Sequence, residues 1–138
     1  MEGFMIKKIL LLALCGGLFQ TQIAFAEPKN DAIKALTNYA VVMALWNIEQ
    51  RCNQMPSGMR KEFDAIVVNA GARLKDIFEP RFFNAAWESG KETANSPQYA
   101  ACDKATRELL DSRLLDMARE LKITLDKLPV GYKLKVTN

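Results

Sequence analysis

The spacing of apolar residues along this chain predicts helices rather than strands. The clearest case is residues 59–78, where apolar residues recur three or four positions apart and most charged residues fall between them. The apolar set is Met59, Phe63, Ile66, Val67, Ala70, Leu74 and Ile77. Because this spacing places one stripe along one side of a helix, we expect the segment to be amphipathic and to pack against other helices.

Three further segments have the same period and are separated by breaks that contain proline. The first is predicted over residues 31–52, with Asn30 as its cap. Its apolar positions spread around more than one side, which is typical of a helix at the centre of a bundle. A short third helix is predicted over residues 80–93 and a fourth over residues 97–122, each with proline in its first turn.

The first 26 residues have the pattern of a secretory signal peptide. A pair of lysines precedes an uncharged apolar run over residues 9–19, and Ala24 and Ala26 supply the small residues of a cleavage site. The run is too short to span a membrane. We therefore expect cleavage after Ala26 and export to the periplasm, with Met5 as the alternative start of translation.

Two cysteines, Cys52 and Cys102, fall in the expected mature chain. An even number of cysteines in an exported protein favours a disulfide. In an up-down-up-down bundle the end of the first helix and the start of the fourth lie at the same pole, so the two thiols can meet. We predict a structural bridge. A redox pair is the alternative, but such pairs usually have the CxxC spacing that this chain lacks.

The third cysteine, Cys15, lies inside the signal segment. A lipoprotein signal places cysteine directly after a small residue, whereas the bulky Leu14 precedes this one. We expect ordinary cleavage, and contact with a membrane only if Cys15 carries a lipid.

These patterns predict an all-α fold, a compact four-helix bundle with one disulfide and an extended C-terminal tail. The expected organisation is a signal peptide over 1–26, a bundle domain over 27–123 and a basic extended tail over 124–138. Residues 128–131 stop the helix, and residues 132–137 alternate apolar and basic side chains, a strand pattern without a partner strand.

The composition excludes much chemistry. The chain has no histidine, so Ser–His and Cys–His nucleophile pairs and His-ligated zinc are ruled out. No pair of acidic residues stands isolated in an apolar setting, as catalysis by carboxylates alone would favour. The net charge of the whole chain is only +3, and the expected mature chain has 17 basic and 15 acidic residues. Its excess of positive charge lies in the tail rather than on one helical face, which argues against nucleic acid as a partner. We expect a non-enzymatic protein without a cofactor or a metal.

Two features are candidates for contact with another envelope or secreted protein. Phe82 and Phe83 are adjacent on a short helix and cannot both point fully inward, so one of them would mark a binding patch. The tail offers a strand that adds to a partner's sheet edge, through Tyr132, Lys133, Leu134 and Lys135. Its lysines would speed encounter with an acidic surface.

Alternatives remain open for both the tail and the function. The tail could be a disordered end, or Tyr132, Leu134 and Val136 could fold back over the bundle and seal it. Helix packing is not expected to need the tail. Instead of a protein binder, the chain could be a small-ligand carrier, with a cavity among the four helices lined by Trp46, Phe63 and Trp87.

Four short groups of residues follow one another along the chain. They are Trp46 with Cys52-Asn53 and Pro56, Asn69-Ala70-Gly71, Ser96-Pro97 with Cys102, and Met117-Ala118-Arg119. Their order and spacing over residues 46–119 resemble the small α-helical pilotins of type II secretion. The resemblance implies a disulfide-bonded four-helix protein that binds a segment of the secretin and guides it to the outer membrane. Such pilotins are usually lipoproteins, from which Leu14 departs. The chain is similar to the same degree to small periplasmic immunity proteins, disulfide-linked helical bundles that plug a toxin.

Overall fold

The structure, a computed structural model, describes residues 28–134, apart from the side chain of Ser112. The predicted signal peptide, its Cys15 and the tail residue Lys135 lie outside the described residues. The fold is all-α, as predicted, with α1 over Pro28–Cys52, α2 over Ser57–Ile77, α3 over Pro80–Ala94 and α4 over Lys104–Asp126. A single 3₁₀ turn, Pro97–Tyr99, lies between α3 and α4. None of these helices is long and apolar enough to cross a membrane.

Helix α1 lies at the centre of the bundle and packs against the three others, as its widely spread apolar positions predicted. Its approach to α3 is especially close. A Cβ atom placed on Gly90 of α3 would lie 2.8 Å from both the carbonyl oxygen of Ala40 and the Cβ of Met43. Because only glycine fits at this distance, α3 lies directly on the backbone of α1.

The predicted disulfide between Cys52 and Cys102 is present, with the two Cα atoms 5.4 Å apart. The predicted start of the fourth helix is wrong, because α4 begins at Lys104 and Cys102 precedes it. Asp103 sets this start, since its carboxylate accepts the backbone N–H of Thr106 at 2.9 Å and so caps the helix. Hydrogen bonds from Thr106 also hold the pKa of the Asp103 carboxyl below its usual range.

The tail, as far as Leu134, lies against the bundle. Helix α4 continues to Asp126, and Leu128 beyond it is buried. A turn closed by the Tyr132 N–H on the Pro129 carbonyl, with Gly131 at φ 76°, reverses the chain. The N–H of Leu134 then donates to the carbonyl of Ile77 at the end of α2, over 2.9 Å. Bundle packing therefore uses this segment, contrary to the expectation that it would not.

Candidate binding surfaces

The adjacent phenylalanines of α3 divide between the core and its edge. Phe83 is buried, with its ring centroid 5.5 Å from that of Tyr39 and 6.4 Å from that of Trp87. Phe82 is half-buried, and the guanidinium of Arg81 lies 4.6 Å from its ring centroid. Phe83 is thus the inward member of the pair, because the side of α3 that faces α1 carries it, and the half-buried Phe82 is the member left as a candidate for partner contact.

The tail candidates are also partly withdrawn from solvent. Tyr132 and Leu134 are half-buried and pack on the core, whereas Lys133 between them is exposed. The backbone N–H of Leu134 is already bonded to α2. A partner's sheet edge would therefore have to displace this hydrogen bond, so this stretch is not an unpaired strand.

The three aromatic residues expected to line a core cavity, Trp46, Phe63 and Trp87, instead pack in the core or at its edge. Phe63 is fully buried in the hydrophobic core. Trp46 is half-buried and donates its indole N–H to the Asp64 carboxylate over 2.8 Å, while Trp87 is half-buried beside Phe83. One surface groove lies between α3 and α4 and another between α2 and α4, and neither is lined by Trp46, Phe63 or Trp87.

The first groove, the neutral cleft, lies between α3 and α4. Both helices pack on α1, but they make little direct contact with each other. The space left between them has a volume of about 250 Å³, and α1 forms its floor. None of the described residues that line it is charged; they are Ala40, Val41, Ala44, Leu45, Ile48, Ser89, Thr93, Tyr99, Leu109 and Met117.

Large apolar side chains are exposed at the neutral cleft. Val41 on its floor is 45% exposed, and Leu109 on its α4 wall is 37% exposed. Val41 could not be identified from the sequence because α1 has apolar residues on all sides, and their period does not show which side lacks a neighbour. The one available signal was the unusual breadth of that apolar pattern.

Arg51 holds the chain that crosses one end of the neutral cleft. One guanidinium nitrogen donates to the carbonyl of Ala94 at 2.6 Å and to that of Tyr99 at 3.0 Å. The other terminal nitrogen donates to the Asn95 side-chain oxygen at 3.2 Å. With the disulfide at the neighbouring Cys52, these bonds attach the α3–α4 connection to the end of α1. The end of the neutral cleft nearest Arg51 is therefore fixed in place by these hydrogen bonds and the disulfide.

The second groove, the ionic furrow, lies between α2 and α4 and has a volume of about 470 Å³. Its apolar residues Ile66, Ala70 and Leu125 are each less than 10% exposed and form the floor. Charged and polar side chains surround this floor, namely Glu62, Asn69, Arg73, Arg119, Lys122 and Asp126. Ala65 also lines the furrow.

An ion pair bridges α2 and α4 at one end of the ionic furrow. The Arg119 guanidinium donates to both carboxylate oxygens of Glu62, at 2.8 and 3.0 Å. These hydrogen bonds hold the pKa of the Glu62 carboxyl below its usual range and raise the pKa of Arg119. Lys122 pairs with Asp126 at 2.7 Å on α4 itself. The sequence does not predict the pair between Glu62 and Arg119, since the period of a helix does not reveal which other helix faces it.

Arg73 is the remaining cation of the ionic furrow. Its Nη2 donates to the carbonyls of Pro129 and Leu128, at 2.9 and 3.5 Å. Within residues 28–134 it has no carboxylate partner.

Residues 28–134 contain no group of three or more acidic, cysteine or histidine side chains placed to hold a metal ion. Comparisons with protein-family models, curated proteins and solved structures found no match to this chain.

Proposed function

We propose that this chain is an exported, non-enzymatic protein of the periplasm that binds another envelope or secreted protein, as an adaptor, a chaperone or an inhibitor. The observation that carries the proposal is the neutral cleft. An exposed valine on its apolar floor and an exposed leucine on its α4 wall lie there, where α3 and α4 leave a space beside α1. Apolar surface exposed in a concave site is typical of protein-binding regions.

The shape and the charge of the cleft indicate the kind of segment that fits. A space of about 250 Å³ beside three helices accepts the apolar side chains of a further helix that lies over it, by ridge-into-groove packing. The small residues Ala40 and Ala44 of the floor allow close approach. Because no lining residue is charged, a charged side chain of a partner would lose its hydration there without finding a counter-ion. The occupant is therefore an amphipathic helix of another protein that presents an uncharged apolar face.

A charge placed in the cleft tests the proposal. Val41→Glu puts a carboxylate on the floor, at a side chain already 45% exposed, so the fold tolerates it. Val68→Glu is the matched control, because Val68 is 65% exposed on α2, which does not line the cleft. Tagged mature protein is incubated with periplasmic extract, the captured protein is identified by mass spectrometry, and its purified form is titrated against both variants.

We expect Val41→Glu to weaken binding of the purified partner at least tenfold and Val68→Glu to leave it unchanged. Equal binding by the two variants contradicts the proposed cleft. Recovery of no stoichiometric partner contradicts the proposed function. A wild-type protein that is dimeric in solution, with a monomeric Val41→Glu variant, would make the cleft an interface between two copies and overturn the proposal of another protein.

Export has its own test. We expect mass spectrometry of the protein purified from the envelope to find Glu27 at the N-terminus and no acyl chain. A mature protein that begins with an acylated Cys15 would contradict cleavage after Ala26 and would support the pilotin-like alternative.

A further inference from the structure

We propose that the ionic furrow binds a small amphiphile that carries one carboxylate on an apolar body. This site is separate from the neutral cleft, since the two grooves share no lining residue. The inference rests on the charges around the furrow, on its apolar floor and on its volume.

The charges of the ionic furrow do not cancel. The carboxylate of Glu62 is paired with Arg119, and that of Asp126 is paired with Lys122. Among residues 28–134, Arg73 has only neutral carbonyl acceptors. The described lining of the furrow therefore has an excess of one positive charge, on the half-buried residue Arg73. A single anionic group supplies the missing counter-charge.

The position of Arg73 suits the recognition of a carboxylate. Its two hydrogen bonds to the carbonyls of residues 128 and 129 engage Nη2, and they restrict the rotation of the side chain. Nε and Nη1 carry further N–H groups, so the guanidinium can donate a charge-assisted hydrogen bond to a carboxylate oxygen while Nη2 stays on the two carbonyls. An arginine held in one orientation loses less conformational entropy when it binds an anion.

The remainder of the furrow suits an apolar body. Ile66, Ala70 and Leu125 form a continuous apolar floor beneath the charged rim. The volume of about 470 Å³ falls within the range of about 300–1,000 Å³ found for small-molecule sites. A carboxylate without an apolar chain would leave the apolar floor exposed to water. An apolar chain without a carboxylate would leave the charge of Arg73 without a counter-ion. The ligand therefore needs both parts.

Calorimetric titration of the mature protein with dodecanoate, at concentrations where it is monomeric, tests the proposal. Acetate tests the carboxylate alone, and dodecyltrimethylammonium tests the chain with the opposite charge. We expect dodecanoate to bind one site per chain, with an affinity that falls as salt screens the charges. We expect neither control compound to bind. Equal binding of the cationic compound, or no binding of dodecanoate, overturns the proposal.

Two substitutions locate the site. Arg73→Gln removes the charge, and we expect dodecanoate to bind about tenfold to a hundredfold more weakly, the usual effect of losing a hydrogen bond to a charged group. Arg107→Gln, at an exposed arginine of α4 outside the furrow, makes the same chemical change and should bind dodecanoate as the wild type does. Unaltered binding by Arg73→Gln would overturn the assignment.

Because Arg73 also holds the tail, a second pair of variants avoids it. Ala65 is exposed at the furrow, and Ala65→Glu and Ala65→Gln differ there in charge with nearly the same shape. We expect Ala65→Glu to bind dodecanoate at least tenfold more weakly than Ala65→Gln, and equal affinities would overturn the proposal. Val41→Glu should bind dodecanoate normally, so failure at the furrow is distinguishable from failure at the neutral cleft.

Discussion

The carboxylate of Glu49 and the guanidinium of Arg60 form an ion pair of 2.6 Å that joins the end of α1 to the start of α2. Glu49 is fully buried. Its carboxylate also accepts the backbone N–H groups of Met55 and Gln54, at 2.9 and 3.3 Å. One buried acid thus organises the whole α1–α2 connection. Such a charge is tolerated in a core because its partners replace the lost water.

We predict that Glu49→Gln destabilises the protein by about 3–5 kcal/mol, because Arg60 keeps a partly buried charge without its partner. The Nε of Arg60 is already buried with no hydrogen-bond acceptor among the described residues. Urea denaturation measures the loss. Glu62→Gln is the control, since its pair with Arg119 is solvent-exposed and should matter little. Similar losses in the two variants would contradict the structural role of the buried pair.

The disulfide should contribute strongly to stability. Cys52→Ser or Cys102→Ser opens a covalent loop between residues 50 positions apart, and we expect each to cost about 2–5 kcal/mol. Thermal unfolding measures this, and the wild type with added reductant should unfold at the temperature of the two variants. Melting of both variants within a degree or two of the oxidised wild type would show that the bridge is absent or unimportant.

Truncation tests the packing of the tail. Deleting residues 128–138 removes the buried Leu128 and the half-buried Tyr132 and Leu134, so we expect a loss of about 2–4 kcal/mol in the free energy of unfolding. Lys133→Ala, at the exposed side chain between the two half-buried ones, is the control and should leave that free energy unchanged. Equal stability of the truncated protein and the wild type would show that the packing of residues 128–134 contributes nothing.

Gly90 should not tolerate a side chain. In Gly90→Ala the new Cβ would lie 2.8 Å from the Ala40 carbonyl oxygen and from the Met43 Cβ, and neither atom can rotate away. We expect α3 to shift from α1 and the free energy of unfolding to fall by about 1–3 kcal/mol. Gly58→Ala is the control, because nothing lies within 4 Å of a Cβ at that position. A stabilised Gly90→Ala variant would contradict the close contact of the two helices.

Stability should fall in alkaline solution because of Tyr39. Burial raises the pKa of its hydroxyl to about 12, whereas in the unfolded chain it titrates near 10. Between these values the unfolded state loses its proton first, so the free energy of unfolding decreases as pH rises from about 10 to 12. We expect Tyr39→Phe to flatten this part of the pH profile. An unchanged profile in chemical denaturation would exclude Tyr39 as the cause.

Local signals in the sequence were sufficient for the helices and for the covalent bridge. Helical period and proline breaks located four helices, and an even cysteine count in a chain expected to be exported identified the pair that forms the disulfide. The start of α4 was misplaced because the 3₁₀ turn at Pro97 has the same local signature as a first helical turn. The cap at Asp103 was an equally local signal, but it did not stand out beside the proline.

The candidate sites depended on the tertiary structure. Hydrophobic period identifies the apolar residues of a helix, but it does not say which of them a neighbouring helix will cover. Val41 is exposed in the neutral cleft because α3, which lies close to α1 at Gly90, leaves a space beside α4.

The charge of the ionic furrow was decided in the same way. Arg119 and Glu62 pair across two helices, and Arg73 turns to the carbonyls of the returning tail. The sequence determined which groups exist in this protein. The packing of the helices determined which groups meet and which are left open, because those contacts join residues far apart in the chain.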